Sequence, residues 1–232
     1  MTQDDASTTV RRYSLFQIER VSSPGFDPSD YSLFKFGDGS RAIRFGRELA
    51  KGFISRHSKL VLQPAPPVVC PSPYHCLPTA STHLANAFIT AVNDHRADAG
   101  LSAVIQSRIH RNQTYVEDYG AMSAAERMAL ITQDTYVINQ NLLAGQSVFF
   151  VDDIRVTGGH EKTIRRILSS ADVECDATYV YYASVTASDI QPQYENELNY
   201  ASVCDSRGHS PGPVLFRLSG GELNTASSIP SS

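Results

Sequence analysis

The chain has 232 residues, 41% of them hydrophobic and 19% charged, a balance that excludes a disordered chain and contains no apolar run near the ~20 residues of a membrane span. That length suits one α/β domain able to bury a core, in a soluble protein. A net charge of -4 and an isoelectric point near 6.0 argue against a general nucleic-acid or membrane-surface binder, while allowing one basic pocket for a phosphorylated small molecule.

In chain order, "SRAIRFGRELAKGFISRH" places Ala42, Ile43, Phe45, Leu49 and Phe53 at helical spacing, with Ser40 as the expected N-cap. "PPVVCP" reads as a short buried strand, and "TASTHLANAFITAVNDHRADAG" as a long helix ending at Gly100. "LSAVIQSRI" reads as a strand, and "SAAERMALITQDTY" as a helix capped by Ser123 with Glu126 three residues on. "QSVFFVDD" is another strand, "TGGHEKTIRRILSSADV" a helix, and "ATYVYYASV" a strand rich in Tyr and Val. Strands alternating with helices imply right-handed βαβ units, hence a doubly wound, mostly parallel sheet with helices on both faces. The polar ends of the chain are expected to fray. Cys70, Cys76, Cys175 and Cys204 form no CxxC pair, and with His75 and His83 they match no common zinc spacing; the start, "MTQDDASTTV", has no signal-peptide pattern, so the expected compartment is the cytoplasm.

Ligands of such sheets sit beyond the carboxyl ends of the strands. The loop after "VFFV" is the most informative. Gly158 and Gly159 let backbone amides converge at a helix start, where unsatisfied N–H groups and a positive dipole end favour an anion such as phosphate, and Thr157 adds a donor. The loop is neither a Walker A, since Glu161 rather than Gly precedes Lys162-Thr163, nor a GxGxxG fingerprint. Before it stand Asp152 and Asp153, adjacent like charges that a fold tolerates where cations or hydroxyl donors complete the site. As a strand end, the pair is expected to accept double replacement by asparagine at little cost in stability.

"VFFVDDIRVTGGH" resembles the signature of the type I phosphoribosyltransferases for 5-phosphoribosyl 1-diphosphate (PRPP): an apolar strand, two acids and a Thr/Gly-rich loop. The resemblance implies an Mg²⁺-dependent enzyme of nucleotide metabolism that transfers ribose 5-phosphate from PRPP to an acceptor, expected to be nitrogenous, and releases diphosphate. It implies that Asp152 and Asp153 bind the ribose hydroxyls, stabilise the cation-like sugar and hold Mg²⁺ directly or through those hydroxyls. Arg155, Val156, Thr157, Gly158, Gly159 and His160 would form the 5-phosphate loop. The family usually has Thr at the position of His160, and often at that of Val156, which implies an altered phosphate site. "DDIRVTGGHE" is also similar to a bacterial subgroup with His-Glu after the loop; Glu161 then needs no role beyond a first-turn acid favourable to the helix dipole.

By the same resemblance "CPSPYHCLPT" stands in the place of the diphosphate loop, with Ser72, Tyr74 and His75 as contacts. "RIHRNQTYVEDYGAMSAAER" stands in that of the flexible closing loop, with Arg108 and Arg111 against diphosphate, Arg108 as a catalytic cation, and Tyr115, Tyr119 and Arg127 as further candidates. The core spans about residues 40–190, and a hood that selects the acceptor comes from about 10–35 and 195–220. The expected partners are PRPP and the acceptor, with a homodimer as the family's usual assembly. A second reading is a PRPP-sensing regulatory protein without turnover. PRPP synthesis is set aside because that fold is a tandem of two such domains.

Overall fold

The computed structural model describes residues 10–74, 77–112 and 135–202. In chain order these give β1 (Arg11–Ile18), α1 (Pro28–Lys35), α2 (Gly39–Val61), β2 (Val68–Pro71), α3 (Ala80–Asp98), β3 (Ile105–Gln106), β4 (His110–Asn112) and β5 (Thr135–Val137). There follow α4 (Gln140–Leu143), β6 (Ser147–Arg155), α5 (Gly159–Ser170), β7 (Asp176–Val185) and α6 (Tyr194–Tyr200).

Strand β6 shows why the sheet is covered on both faces. Its side chains alternate, as strand geometry requires: Val148 and Phe150 join an apolar cluster with Ile164, Ile167 and Leu168 of α5, while Phe149 and Val151 join another with Phe53, Leu84 and Phe88 of α2 and α3. A continuous apolar run is the pattern of a parallel strand buried on both sides. Five strands form this parallel sheet in the order β1-β7-β6-β2-β3. The chain leaves β2 through α3 toward one edge and β6 through α5 toward the other. The doubly wound architecture is therefore as expected, and its switch point lies between the adjacent strands β2 and β6. Helices α2 and α3 cross closely at Gly46, where a Cβ would meet the Leu84 carbonyl oxygen at 2.3 Å.

Several local expectations are corrected. Helix α2 starts at Gly39, capped by Asp38 rather than Ser40: the Asp38 carboxylate accepts from the Arg41 amide at 3.0 Å, and Ser40 Oγ donates to the same carboxylate at 2.6 Å. An aspartate one position before the glycine reaches the third amide of the helix, which is the geometry of an N-cap. Residues 11–18, assigned to the hood, form the edge strand β1, paired in parallel with β7 from Arg11↔Thr178 to Ile18↔Val185. Of "LSAVIQSRI" only Ile105–Gln106 forms a strand beside β2; before it the Val104 amide donates to Asn93 Oδ1 at 2.9 Å, and after it the Ser107 amide makes the last bond to β2, to the Val69 carbonyl at 3.0 Å. Thr135 and Tyr136, expected at the end of a helix, are strand β5, antiparallel to β4; the rest of that segment lies outside the described residues, as do His75, Tyr115, Tyr119 and Arg127 and most of the C-terminal hood segment.

What does lie beside the sheet is the pair α1 and α6. Ser32 Oγ donates to the Asn199 carbonyl at 2.7 Å, and Ser202 Oγ donates to Ser32 Oγ at 2.7 Å. Asp27 caps α1 by accepting from the Ser29 amide at 2.8 Å, with Pro28 in the first turn.

Candidate active site

A cleft of about 240 Å³ opens at the switch point, lined by Ser72, Pro73, Thr79 and Ser81 from the β2–α3 side and by residues 152–161 from the β6–α5 side. Lys35 of α1, Tyr181 of β7 and Glu195 of α6 complete its lining. Two of the three loops that the sequence singles out thus meet, and Ser72 ties them: its amide donates to the Val151 carbonyl at 3.1 Å.

The same alternation that fills both faces of β6 separates the two carboxylates. Asp152 and Asp153 are 6% and 4% exposed, so they are core groups and not a solvated strand end. Asp153 turns to the α1–α3 side. One of its oxygens accepts from Tyr31 OH at 2.9 Å and from Lys35 Nζ at 2.7 Å, and the other from Ser81 Oγ at 3.3 Å. Asp152 turns to the α5 side, accepting from the Asp153 amide at 2.9 Å with one oxygen, while the other lies 3.0 Å from His160 Nδ1. The expectation that asparagine replacement would be nearly free is therefore overturned, because a buried ion pair would lose one member.

Their electrostatics diverge accordingly. Burial opposes the charge on Asp153, but the Lys35 ammonium and the hydrogen bonds from Lys35 and Tyr31 outweigh it and hold the carboxyl well below the usual range. At Asp152 burial prevails over the His160 hydrogen bond, repulsion from Asp153 adds to it, and the carboxyl is pushed up. The hydrogen bond to Asp152 in turn raises the His160 imidazole. An ionised carboxylate offers about four lone-pair sites. Two on Asp152 and three on Asp153 have partners, which leaves room for incoming hydroxyl donors mainly on Asp152.

Beside this pair lies an anion cradle. Gly158 caps α5 with φ 73°, a left-handed conformation that favours glycine, and a Cβ there would stand 3.1 Å from the Arg155 guanidinium. The next residues present the unsatisfied amides of a helix start. Thr157 and Gly159 line the cleft, and Val156 lines it while packing on the core. Across the cleft, Thr79 caps α3 without a side-chain hydrogen bond to a backbone amide of that helix, its hydroxyl lying 3.3 Å from Thr82 Oγ1 instead. Among the described residues Ser72 Oγ is buried without a hydrogen-bond partner, so its donor is open to a ligand.

Not every expected residue converges. Arg108 is exposed, donates to Tyr74 OH at 3.0 Å and lines a separate surface pocket with Gln106 and His110. Tyr74 forms an isolated parallel bridge to His110, so the diphosphate-loop candidate and the start of the long loop are joined outside the cleft. Arg111 lies in β4, and nothing is described of its side chain. Conversely Tyr31, Lys35, Thr79, Ser81 and Glu195 do not stand out in the sequence. The signal for the first two is Asp27-Pro28, a helix start that sets Tyr31 and Lys35 four residues apart on one face. Of the described cysteines, Cys70 is buried, and that burial pushes its thiol up to about 12, partly offset by Ser107.

A family model described as PRTase ComF-like matches residues 9–207. No curated protein matches the chain. Among solved structures, a hypoxanthine phosphoribosyltransferase from Staphylococcus aureus is similar at 13% identity over 66% of this chain and 84% of that one, with a TM-score of 0.38. The hypoxanthine phosphoribosyltransferase of Trypanosoma cruzi is 13% identical over 64% of this chain and 75% of its own, with a TM-score of 0.39. The hypoxanthine-guanine enzyme of L. donovani is 12% identical over 62% and 67%, with a TM-score of 0.34. Likeness of this degree says nothing about ligands. The family match spans most of the chain and includes the whole of the cleft's lining.

Proposed function

Since the chain belongs to the PRTase ComF-like family and is a phosphoribosyltransferase, we propose that it transfers ribose 5-phosphate from PRPP to a nitrogenous acceptor, with Mg²⁺, releasing diphosphate. The observation that supports this most is the juxtaposition, in one cleft, of two buried carboxylates and a glycine-turned helix start. The chain's residues divide the work. Amides of the 157–161 turn and the Thr157 hydroxyl hold the 5-phosphate. Asp152, with lone pairs to spare, and Asp153, ionised by its pairing with Lys35, accept the ribose hydroxyls. The bond from the anomeric carbon to diphosphate breaks with cation-like character, and the fixed negative charge of the pair stabilises that state without reorganising. Ser72 Oγ and the start of α3, which line the same cleft, would donate to the departing diphosphate.

The donor set fits Mg²⁺ held through the ligand. Among the described residues no three His, Cys, Asp or Glu side chains group as a metal cage, and every oxygen of Asp152 and Asp153 already has a donor. Asp152 and Asp153 would face the ion across the ribose hydroxyls. When bound, it neutralises charge on the diphosphate. PRPP and the acceptor are the partners in this reading, with a homodimer as the expected assembly.

The test is diphosphate release from PRPP and Mg²⁺ across a panel of nitrogenous acceptors. Acceptor-dependent release is expected. A second reading, a PRPP-binding regulatory protein, draws on one feature: the ring of His160 is turned to Asp152 instead of being left free for phosphate. Binding of PRPP with no release for any acceptor would select it.

A further inference from the structure

Beneath the phosphate turn lies a charge network that no step above uses. Glu161, in the first turn of α5, is 3% exposed. Its carboxylate accepts from Arg12 Nη2 at 2.7 Å and from Arg12 Nε at 2.8 Å, a two-pronged pair with the edge strand β1. Tyr181 OH of β7 donates to the same group at 3.3 Å, and Arg155 Nε lies 3.4 Å away. Arg155 is the last residue of β6, and its guanidinium stands against the left-handed Gly158. One carboxylate therefore gathers both ends of the turn, Arg155 before it and Glu161 after it, and fastens them to the far edge of the sheet. The dipole of α5 calls for none of this: a first-turn acid serves the dipole while exposed, whereas this one is buried among two guanidiniums and a phenol.

Building on the phosphoribosyl reading, we propose that Glu161, held by Arg12, is a positioning residue that fixes the 155–160 turn in the shape that grips the 5-phosphate. The sign of its effect separates this role from simple electrostatics. Glu161 is a negative charge close beneath an anion site. If the turn worked only by attracting phosphate, neutralising Glu161 would tighten binding, because two cations would be left under the loop. If Glu161 sets the geometry, neutralising it weakens binding despite the gain in positive charge. Misplacing groups that surround a site commonly costs roughly tenfold to a hundredfold.

The experiment is calorimetric titration of the full chain with ribose 5-phosphate, and with PRPP plus Mg²⁺, for wild type, Glu161→Gln and Arg12→Lys. Arg12→Lys preserves the charge and removes the two-pronged geometry. Each variant is expected to bind both ligands roughly tenfold to a hundredfold more weakly. A third variant, Arg12→Met with Glu161→Met, guards against mere instability: Arg12 is 40% exposed, and removing both partners together strands neither member of the pair. It is expected to melt near wild type and still bind weakly. Equal or tighter binding by Glu161→Gln, or full affinity in the double variant, would overturn the positioning role while leaving the phosphoribosyl reading intact. Failure of the folded wild type to bind either ligand would overturn that reading, and the positioning role with it.

Discussion

Asp152 and Asp153 are the same residue one peptide apart, yet the two sides of the sheet they face have little in common. The Asp152 side is built from its own motif: the partners are the Asp153 amide and His160, all within nine residues. The Asp153 side is built from afar, by Tyr31 and Lys35 more than a hundred positions earlier and by Ser81 at the start of α3. One carboxyl is pushed up and the other held down. The lesson is that a doubled acid at a strand end need not be two copies of one function. Strand alternation sends the pair to opposite faces, so one can be clamped as a permanent charge while the other keeps lone pairs for a ligand.

The largest effect expected from breaking this contrast is at Lys35. Lys35→Met leaves the Asp153 carboxylate buried without its cation, and the loss of one partner of such a pair should destabilise the fold by about 3 kcal/mol in urea unfolding. The pH dependence follows the sign of the shift. Because the folded Asp153 carboxyl lies below its ordinary value, its pairing stabilises the wild type fully above about pH 4 and fades as pH falls through the depressed value. The Lys35→Met variant should show a flatter acid limb. A wild-type-like midpoint and limb would mean that the clamp contributes nothing.

Next in size is Gly158→Val. A β-branched residue at φ 73°, with its Cβ against the Arg155 guanidinium, should lose about 2 kcal/mol and the affinity for ribose 5-phosphate. Unchanged affinity in a folded variant would displace the phosphate from this turn. The smallest effect on stability should come from Ser72→Ala. Its hydroxyl has no partner to lose among the described residues, so the melting temperature should stay within about 2 °C of wild type while diphosphate binding weakens. A large drop in melting temperature would show that the hydroxyl is structural.

The same contrast explains which features are legible in the amino-acid sequence. The buried apolar run of β6, the glycine turn and the helix after it announce themselves locally, because strand alternation, left-handed glycine and helix periodicity each act over a few residues. So does the helix ending at Gly100, whose φ of 70° suits a C′ glycine. Lys35, Tyr31 and Arg12 are not legible as site residues, because their partners are fixed only when the chain closes on itself. Arg12 is hidden further by its strand: "RRYSLFQI" pairs only at the sheet edge, and nothing local announces a partner in β7. Glu161 escapes notice for a related reason, since a first-turn acid already has a sufficient local explanation.

The most direct test of the central claim is calorimetric titration with PRPP and Mg²⁺ of the wild type beside Asp152→Asn, the carboxylate with lone pairs to spare. The account predicts one saturable site in the wild type and loss of that binding in a variant that still melts cooperatively. Full binding by folded Asp152→Asn, or none by folded wild type, would contradict it.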